Sequence, residues 1–383
     1  MTKYQQRVAE IYHFFDNKDT VLGLRKLLDC AMDTQNMEIY REAVELTDWK
    51  ETHSHSVEEL SGRSKDLLDK MGKIGVEERV EKEAVLRARN IVKSYGSRRF
   101  SLGPVSVEIR KGQVYGLVGE NGNGKTTLLR ILAKEISHDG GELRYSFNKN
   151  PENDYDLRTK LVYIPQRTEK WYGSLKDNLK FVLANYGISS EENETRTLMM
   201  IARLGLWNYK DLKWSELSSG YKMRFELART LLRKPEILLL DEPLANLDVL
   251  AQQVILEDLK SIANSVNNPI ALILSSQQLY EVEKVSDKVI FLKNGQYKDN
   301  SEFSDNGNAG LIIEIDTANS REALLQVFEN LHLEKLNFNG GIYIAHFSAG
   351  TAFHEVMSAL GKAKTEIVYI RNISSSTRRF FVS

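Results

Sequence analysis

A single cysteine, Cys30, stands in the 383 residues, so no disulfide can form within the chain. A free thiol suits a reducing compartment, and a cytoplasmic setting is the expectation. Only six prolines are present, the first at Pro104, which leaves the opening stretch open to uninterrupted helices. Long hydrophobic runs are missing as well. Runs such as Ile237 to Leu240 and Ile270 to Leu274 fall far below the roughly 18 residues of a spanning helix. The opening MTKYQQRVAE has none of the apolar core of a signal peptide. If the protein works at a membrane, another chain is expected to supply the span. An excess of one charge is absent too: 52 Lys+Arg stand against 53 Asp+Glu, a net of −1. Dedicated nucleic-acid binders carry a basic surplus, so no nucleic-acid partner is expected. At 42% hydrophobic and 27% charged, the chain reads as globular. Its length calls for two or three domains.

Residues 1–84 read as helices. Val8, Ile11, Tyr12 and Phe15 fall at helical spacing, as do Leu24, Leu27, Leu28 and Ala31. Ser56-Val57-Glu58-Glu59 fits a capping box, and Gly72 suits a helix stop. This block holds 13 basic and 18 acidic residues, a net of −5, so it is no nucleic-acid arm; it reads as a helical docking or regulatory appendage. His53 and His55 lie in a polar stretch without a third ligand nearby, which argues against a metal.

From about residue 85 the period changes. Val85, Arg87 and Arg89 alternate with other residues, and Val105, Val107 and Ile109 alternate with polar ones, as strands do. Short apolar strands then alternate with helices: Val114 to Val118, a helix from Lys125 to about Glu135, Leu161 to Ile164, a helical stretch from about 174 to 233, Ile237 to Leu240, Ile270 to Leu274, and Val289 to Leu292. That alternation predicts an α/β core with a largely parallel sheet and a helical insertion, spanning 85–305. The polar segment Ser301 to Asn308 is a linker candidate. Residues 306–383 carry a strand at Leu311 to Ile315 and a helix at Arg321 to Asn330. Two strands flank Asn339-Gly340-Gly341, then come a helix from about Thr351 to Gly361 and a strand at Glu366 to Ile370. The order β-α-β-β-α-β is ferredoxin-like.

Three motifs carry chemistry. Gly119-Glu120-Asn121-Gly122-Asn123-Gly124-Lys125-Thr126 lies between a predicted strand and a predicted helix, as a phosphate loop requires. Its glycines let backbone N–H groups converge on phosphate oxygens, and the helix N-terminus favours negative charge. Lys125 is placed for the β- and γ-phosphates, and the Thr126 hydroxyl for Mg²⁺. Ile237-Leu238-Leu239-Leu240-Asp241-Glu242 is an apolar strand ending in two carboxylates. One suits the metal (Asp241) and the other suits a general base for the attacking water (Glu242). Between them stands Leu217-Ser218-Ser219-Gly220-Tyr221, with Arg224 just beyond.

This set resembles ABC-transporter ATPases of the exporter type, whose hallmark is an LSGGQ signature before the carboxylate strand. Ser218 and Gly220 match it, whereas Ser219 and Tyr221 depart from it. The resemblance implies a P-loop ABC ATPase core with a helical insertion, an N-terminal all-α extension and a small C-terminal α+β domain. It implies ATP and Mg²⁺ as ligands, with Asn121, Gly122, Asn123, Gly124, Lys125, Thr126 and Thr127 around the phosphates. Gln166 resembles the Q-loop glutamine that senses Mg²⁺ and touches a membrane partner. Tyr95 resembles the aromatic that stacks on adenine. Ser218, Gly220 and Asp248 resemble residues that cross to the nucleotide of a second cassette. The partners implied are that second cassette and an integral-membrane permease on a separate chain, which would hold the ATPase at the cytoplasmic face of the membrane.

One departure bears on rate. The family places a histidine after the Ile270–Leu274 strand; here the segment reads Ser275-Ser276-Gln277-Gln278, with Gln277 in that place. An amide donates a hydrogen bond but carries no proton, so hydrolysis is expected, at reduced speed. Two other readings stand beside export: a soluble ABC ATPase acting on ribosomes or DNA, and a slowly hydrolysing ATP-gated regulatory subunit. Against the first, the chain has one P-loop, and Thr127 and Leu217 are only 90 positions apart, too close for a long coiled coil.

Overall fold

The computed structural model describes residues 1–53, 56–79, 83–96, 100–147, 155–278, 282–298, 310–339 and 341–374. His55, the linker candidate at Ser301 to Asn308 and Gly340 lie outside the described residues.

Four helices open the chain: α1 (Lys3–Asp16), α2 (Thr20–Thr34), α3 (Met37–Thr52) and α4 (Val57–Met71). Each buries one apolar stripe, as Tyr4, Val8, Ile11 and Phe15 do on α1. Their starts are fixed by side chains that satisfy orphan amides. Thr2 and Gln5 cap α1 reciprocally, Asp19 accepts from the Leu22 amide, and Asn36 accepts from those of Glu38 and Ile39. The capping box expected at Ser56 does not form. Glu59 turns outward to Arg63 on the next turn, 2.9 Å away, so the reciprocal bond has lost its second member. His53 lies flat on Trp49 with ring centroids 4.7 Å apart, as a packing residue.

A three-stranded antiparallel sheet follows, ordered β2 (Ser101–Arg110), β1 (Ala84–Ser94), β4 (Gly140–Tyr145). Beside it runs a six-stranded sheet. Its order is β5 (Leu161–Ile164), β6 (Ile237–Leu240), β7 (Ala271–Ser276), β3 (Val114–Val118), β8 (Lys288–Lys293) and β9 (Gln296–Lys298). The first five strands are parallel, and β9 turns back on β8 as a hairpin. Strands β3, β6 and β7 are buried along their whole length, the pattern of a parallel sheet covered on both faces. Helix α5 (Lys125–Leu132) leaves the end of β3. It stops short of the expected Glu135 because Lys134 takes a left-handed turn, its amide donating to the Ile131 carbonyl.

The expected stretch at 174–233 resolves into α7 (Leu175–Ala184), α8 (Ser190–Arg203), two short 3₁₀ turns and α9 (Ser219–Leu231). Short helix α6 (Tyr155–Lys160) precedes β5, and α10 (Val249–Ala263) links β6 to β7. The four N-terminal helices are no loose appendage. Their apolar faces merge with those of α8, α9 and α10 in one core that includes Leu27, Leu68, Ile201, Leu227 and Leu259.

The tail forms its own core around Ile313, Phe328, Phe347 and Val356. Its antiparallel sheet is ordered β11 (Leu333–Asn339), β12 (Ile342–Phe347), β10 (Ile312–Asp316), β13 (Tyr369–Asn372), with helices α11 (Arg321–Val327) and α12 (Phe353–Lys362). This is the ferredoxin-like order. The last strand sits later than the expected Glu366 to Ile370, because residues 363–368 are used to leave α12.

Candidate nucleotide site

Open parallel sheets place ligands at the carboxyl ends of their strands. Here β3, β5, β6 and β7 end on one side of the sheet and deliver Gly119 to Thr126, Gln166, Asp241 with Glu242, and Ser275 to Gln277.

The phosphate loop is shaped by two positions that only glycine tolerates. Gly124 stands at the N-cap of α5 with φ of 97°, and a Cβ there would meet Phe100 at 2.6 Å. A Cβ on Gly119 would stand 2.4 Å from the Leu292 carbonyl oxygen. Lys125, 5% exposed, folds back into the loop. Its ammonium donates to the carbonyls of Gly119 (2.7 Å) and Glu120 (3.3 Å) and stands 3.5 Å from Glu242. Asn123 anchors the loop through its side chain. Its side chain is buried, donates to the Leu292 carbonyl at 3.3 Å and accepts from the Asn294 amide at 3.2 Å, pinning the loop to the β8–β9 turn. Asn121, Gly122 and Thr126 are exposed along the loop, and Thr127 is half-buried.

Asp241 is 4% exposed and sits at the centre of three hydroxyls. Thr126 donates to one oxygen at 2.8 Å and Tyr163 to the same oxygen at 3.2 Å, while Ser275 donates to the other at 2.7 Å. Burial, reinforced by Asp241, pushes the Tyr163 phenol well above its ordinary range, so it stays a donor. Hydroxyl and carboxylate oxygens suit Mg²⁺. The Thr126–Asp241 separation of 2.8 Å is also close to the ~3.0 Å between adjacent ligands of an octahedral ion with bonds of about 2.1 Å. Among the described residues no cluster of three or more His, Cys, Asp or Glu is poised for a metal. An ion here would be completed by water and phosphate, as Mg²⁺ prefers.

Glu242 adopts φ of 47°, a left-handed conformation unusual for a residue with a Cβ and costing on the order of 1–3 kcal/mol. The turn aims its carboxylate back toward the loop. Its amide donates to Ser275 Oγ at 2.8 Å, which over-determines the strained backbone. Three donors converge on the carboxylate: Lys125 at 3.5 Å, Gln166 Nε2 at 3.2 Å and Gln277 Nε2 at 2.9 Å. Residues 76 and 35 positions away in sequence thus meet on one oxygen pair.

Other expected residues are not gathered in. Ser218 caps α9, accepting from the Tyr221 amide. Ser219 donates to the Asn246 carbonyl at 3.0 Å, and Asp248 caps α10 through the Ala251 amide at 2.9 Å. Ser218 and Asp248 therefore stand at the starts of two helices that the Ser219–Asn246 hydrogen bond links. Tyr221 packs its ring on Tyr209 at 3.8 Å with Arg224 over it. Tyr95 is 41% exposed, with the Lys93 ammonium 5.9 Å from its ring.

Tyr163 and Ser275 were not foreseen as site residues. The available signal was positional: both lie where an apolar strand adjoining β6 meets the site side of the sheet.

Comparison with known proteins follows the same outline. The family model described as ABC transporter matches residues 102–245. The chain is 31% identical over 212 residues to the lantibiotic transport ATP-binding protein SrtF of Streptococcus pyogenes, covering 55% of this chain and 88% of that protein. It is 28% identical over 225 residues to the phosphonates import ATP-binding protein PhnC of Treponema denticola, covering 55% of this chain and 87% of that protein. Among solved structures, cbiO1 of Clostridium perfringens, part of the ABC transporter complex cbiONQ, shares the fold. Its TM-score is 0.52 at 22% identity, covering 58% of this chain and 92% of that one.

Proposed function

The chain belongs to the ATP-binding proteins of ABC transporters and is an ATPase subunit, and from that premise we propose that it is the motor of an exporter, working on a permease carried by a separate chain. The convergence of Lys125, Gln166 and Gln277 on Glu242 carries the catalytic part of this reading. On ATP binding, Lys125 exchanges the Gly119 and Glu120 carbonyls for β- and γ-phosphate oxygens. Thr126, Asp241 and Gln166 are the residues that would hold Mg²⁺. The ion, when bound, neutralises charge that develops on the transferred phosphoryl group. Glu242 takes a proton from the attacking water, and Gln277 donates a hydrogen bond at the γ-phosphate. Tyr95 stacks on the base.

Ser218, Gly220 and Asp248 serve the nucleotide of a second cassette. That assignment is supported by their position at exposed helix starts, where Val249 and Leu250 are 77% and 75% exposed. Closure around two ATP molecules and opening after hydrolysis would then drive the permease, because the closed state is favoured only while the γ-phosphates hold it. No described helix is long and apolar enough to cross a membrane, so the span falls to the permease. Export rather than import is favoured by the relaxed signature and the small C-terminal domain; of the relatives, one is named for import and one for transport without a direction.

A pull-down of the full chain from detergent-solubilised membranes tests this reading. A stoichiometric integral-membrane partner with Mg²⁺-dependent ATPase activity is expected in the eluate. Ribosomal or DNA-bound partners without a membrane protein would sink it.

Gln277 favours a second reading, an ATP-gated subunit with slow turnover. Gln277→Ala should lower kcat by up to about 10²-fold, the scale of one lost donor at the reacting phosphate, with ATP affinity nearly unchanged. If Gln277→His instead raises kcat tenfold or more while Gln277→Ala changes nothing, the regulatory reading gains and Gln277 leaves the machinery.

A further inference from the structure

The N-terminal helices do more than share a core with the cassette; they roof a cavity of about 90 Å³ that the nucleotide site does not use. One water needs roughly 10–15 Å³ of such space, so a small organic molecule fits. The floor comes from α8, the exit of α9 and the exit of α10, and the roof from α1, α2 and the start of α3.

Charge in the wall is unbalanced. Four cations, Arg7, Arg196, Arg203 and Lys234, face two carboxylates, Asp29 and Asp33. Both carboxylates are already engaged. Asp33 accepts from the Val266 and Asn267 amides and from Ser265 and pairs with Arg7 at 3.8 Å, and Asp29 pairs with Arg203 at 2.9 Å and accepts from Ser261. Arg196 spends Nε and Nη2 on Glu192 of its own helix. Lys234 stands at the exposed rim, and its hydrogen bond goes to a neutral oxygen, Gln35 Oε1, at 2.7 Å. Among the described residues no carboxylate lies within ion-pair reach of Lys234. Partial burial, then the facing charges of Arg196 and Arg79, pull its ammonium below its ordinary range, against a weaker pull from Glu192. The same wall carries the apolar side chains of Met200, Leu231 and Ile262.

Cationic and apolar side chains lining one cavity recognise an acid with a short hydrocarbon body. We propose that this cavity is a regulatory site for a small organic anion, with its acidic head between Lys234 and Arg196 and its apolar part on Met200 and Leu231. Regulation follows from what the wall is made of. Leu231, Leu232 and Lys234 close α9 and lead directly into β6, which ends on Asp241 and Glu242. The α10 exit leads into β7, which ends on Ser275 and Gln277. An occupant that stiffens both exits changes the setting of both strands.

The test uses the full chain carrying Lys125→Ala, so that the phosphate loop does not bind the probes. Thermal unfolding is followed with straight-chain carboxylates from acetate to octanoate and with short alkyl phosphates, at fixed ionic strength. At least one probe should raise the midpoint saturably. Lys234→Gln in the same background should weaken that apparent affinity about 10-fold or more, while Lys234→Arg should keep it. Should Lys125→Ala fail to fold, calorimetric titration of the wild-type chain saturated with a non-hydrolysable ATP analogue reads the same site. A carboxylate response or an alkyl phosphate response identifies the head group, and either supports the site. The site is overturned if no probe exceeds chloride, or if the response survives Lys234→Gln combined with Arg196→Gln. A probe that binds yet leaves wild-type kcat unchanged overturns the regulatory role.

Discussion

Glu242→Gln is expected to bind ATP as the wild type does and to hydrolyse it about 10²–10⁴-fold more slowly, the range for loss of a positioned general base. The geometry gives the reason for the split between binding and turnover. Lys125, Gly124 and Thr126, which are assigned to the phosphates, lie on α5 and its loop, whereas Glu242 reaches the site from the end of β6. The substitution keeps the shape of the side chain and removes its basicity. It also replaces one of two accepting oxygens with a donor: an amide nitrogen in place of Oε1 faces Lys125, and one in place of Oε2 faces Gln166. Single-turnover measurement of phosphate release, with nucleotide binding read separately by fluorescence, distinguishes the two effects. Wild-type turnover would remove Glu242 as the base. Lost ATP binding would show instead that its contact with Lys125 shapes the loop.

How much of this was visible beforehand follows from contiguity. The phosphate loop and the apolar strand ending in Asp241 and Glu242 are continuous segments, and each carries its own chemistry in its spacing. The ferredoxin-like tail was equally legible, since its order is written along the chain. Tyr163 and Ser275 were not, because their approach to Asp241 depends on the register in which Leu240 pairs with Ile164 and Leu274. Periodicity does not encode register between strands far apart in sequence. The anchoring of the Asn123 side chain by a distant hairpin turn was hidden for a related reason. The capping box at Ser56 failed because Glu59 had a competing partner one turn on, a choice that spacing alone does not decide. The deepest omission was the N-terminal helices' place. Their amphipathic stripes announced that something covers them, and only the folded chain identifies it as α8, α9 and α10.

That shared core makes the second large effect a matter of stability. Asp33→Ala should lower the free energy of unfolding by about 2–4 kcal/mol, within the range for stranding buried hydrogen-bonding groups. Asp33 is 4% exposed and lies on α2, but its oxygens serve the loop between α10 and β7. The Val266 amide donates to both oxygens at 3.1 Å, the Asn267 amide to one at 3.4 Å, and Ser265 adds its hydroxyl. Alanine leaves these donors, and the Arg7 guanidinium 3.8 Å from Asp33, facing an apolar methyl in the cavity wall. The helical unit should not detach, since Arg25 still pairs with Glu257 and Asp258 and the apolar core is unchanged. The damage should therefore be local. Hydrogen exchange at Val266 and Asn267 should accelerate far more than at Leu256 or Leu259 in the middle of α10. Unchanged protection at those two amides, with an unchanged unfolding midpoint, would show that Asp33 does not anchor the loop. Exchange accelerating equally along α10 would show that the N-terminal unit and α10 unfold together, making the four helices a structural part of the ATPase core.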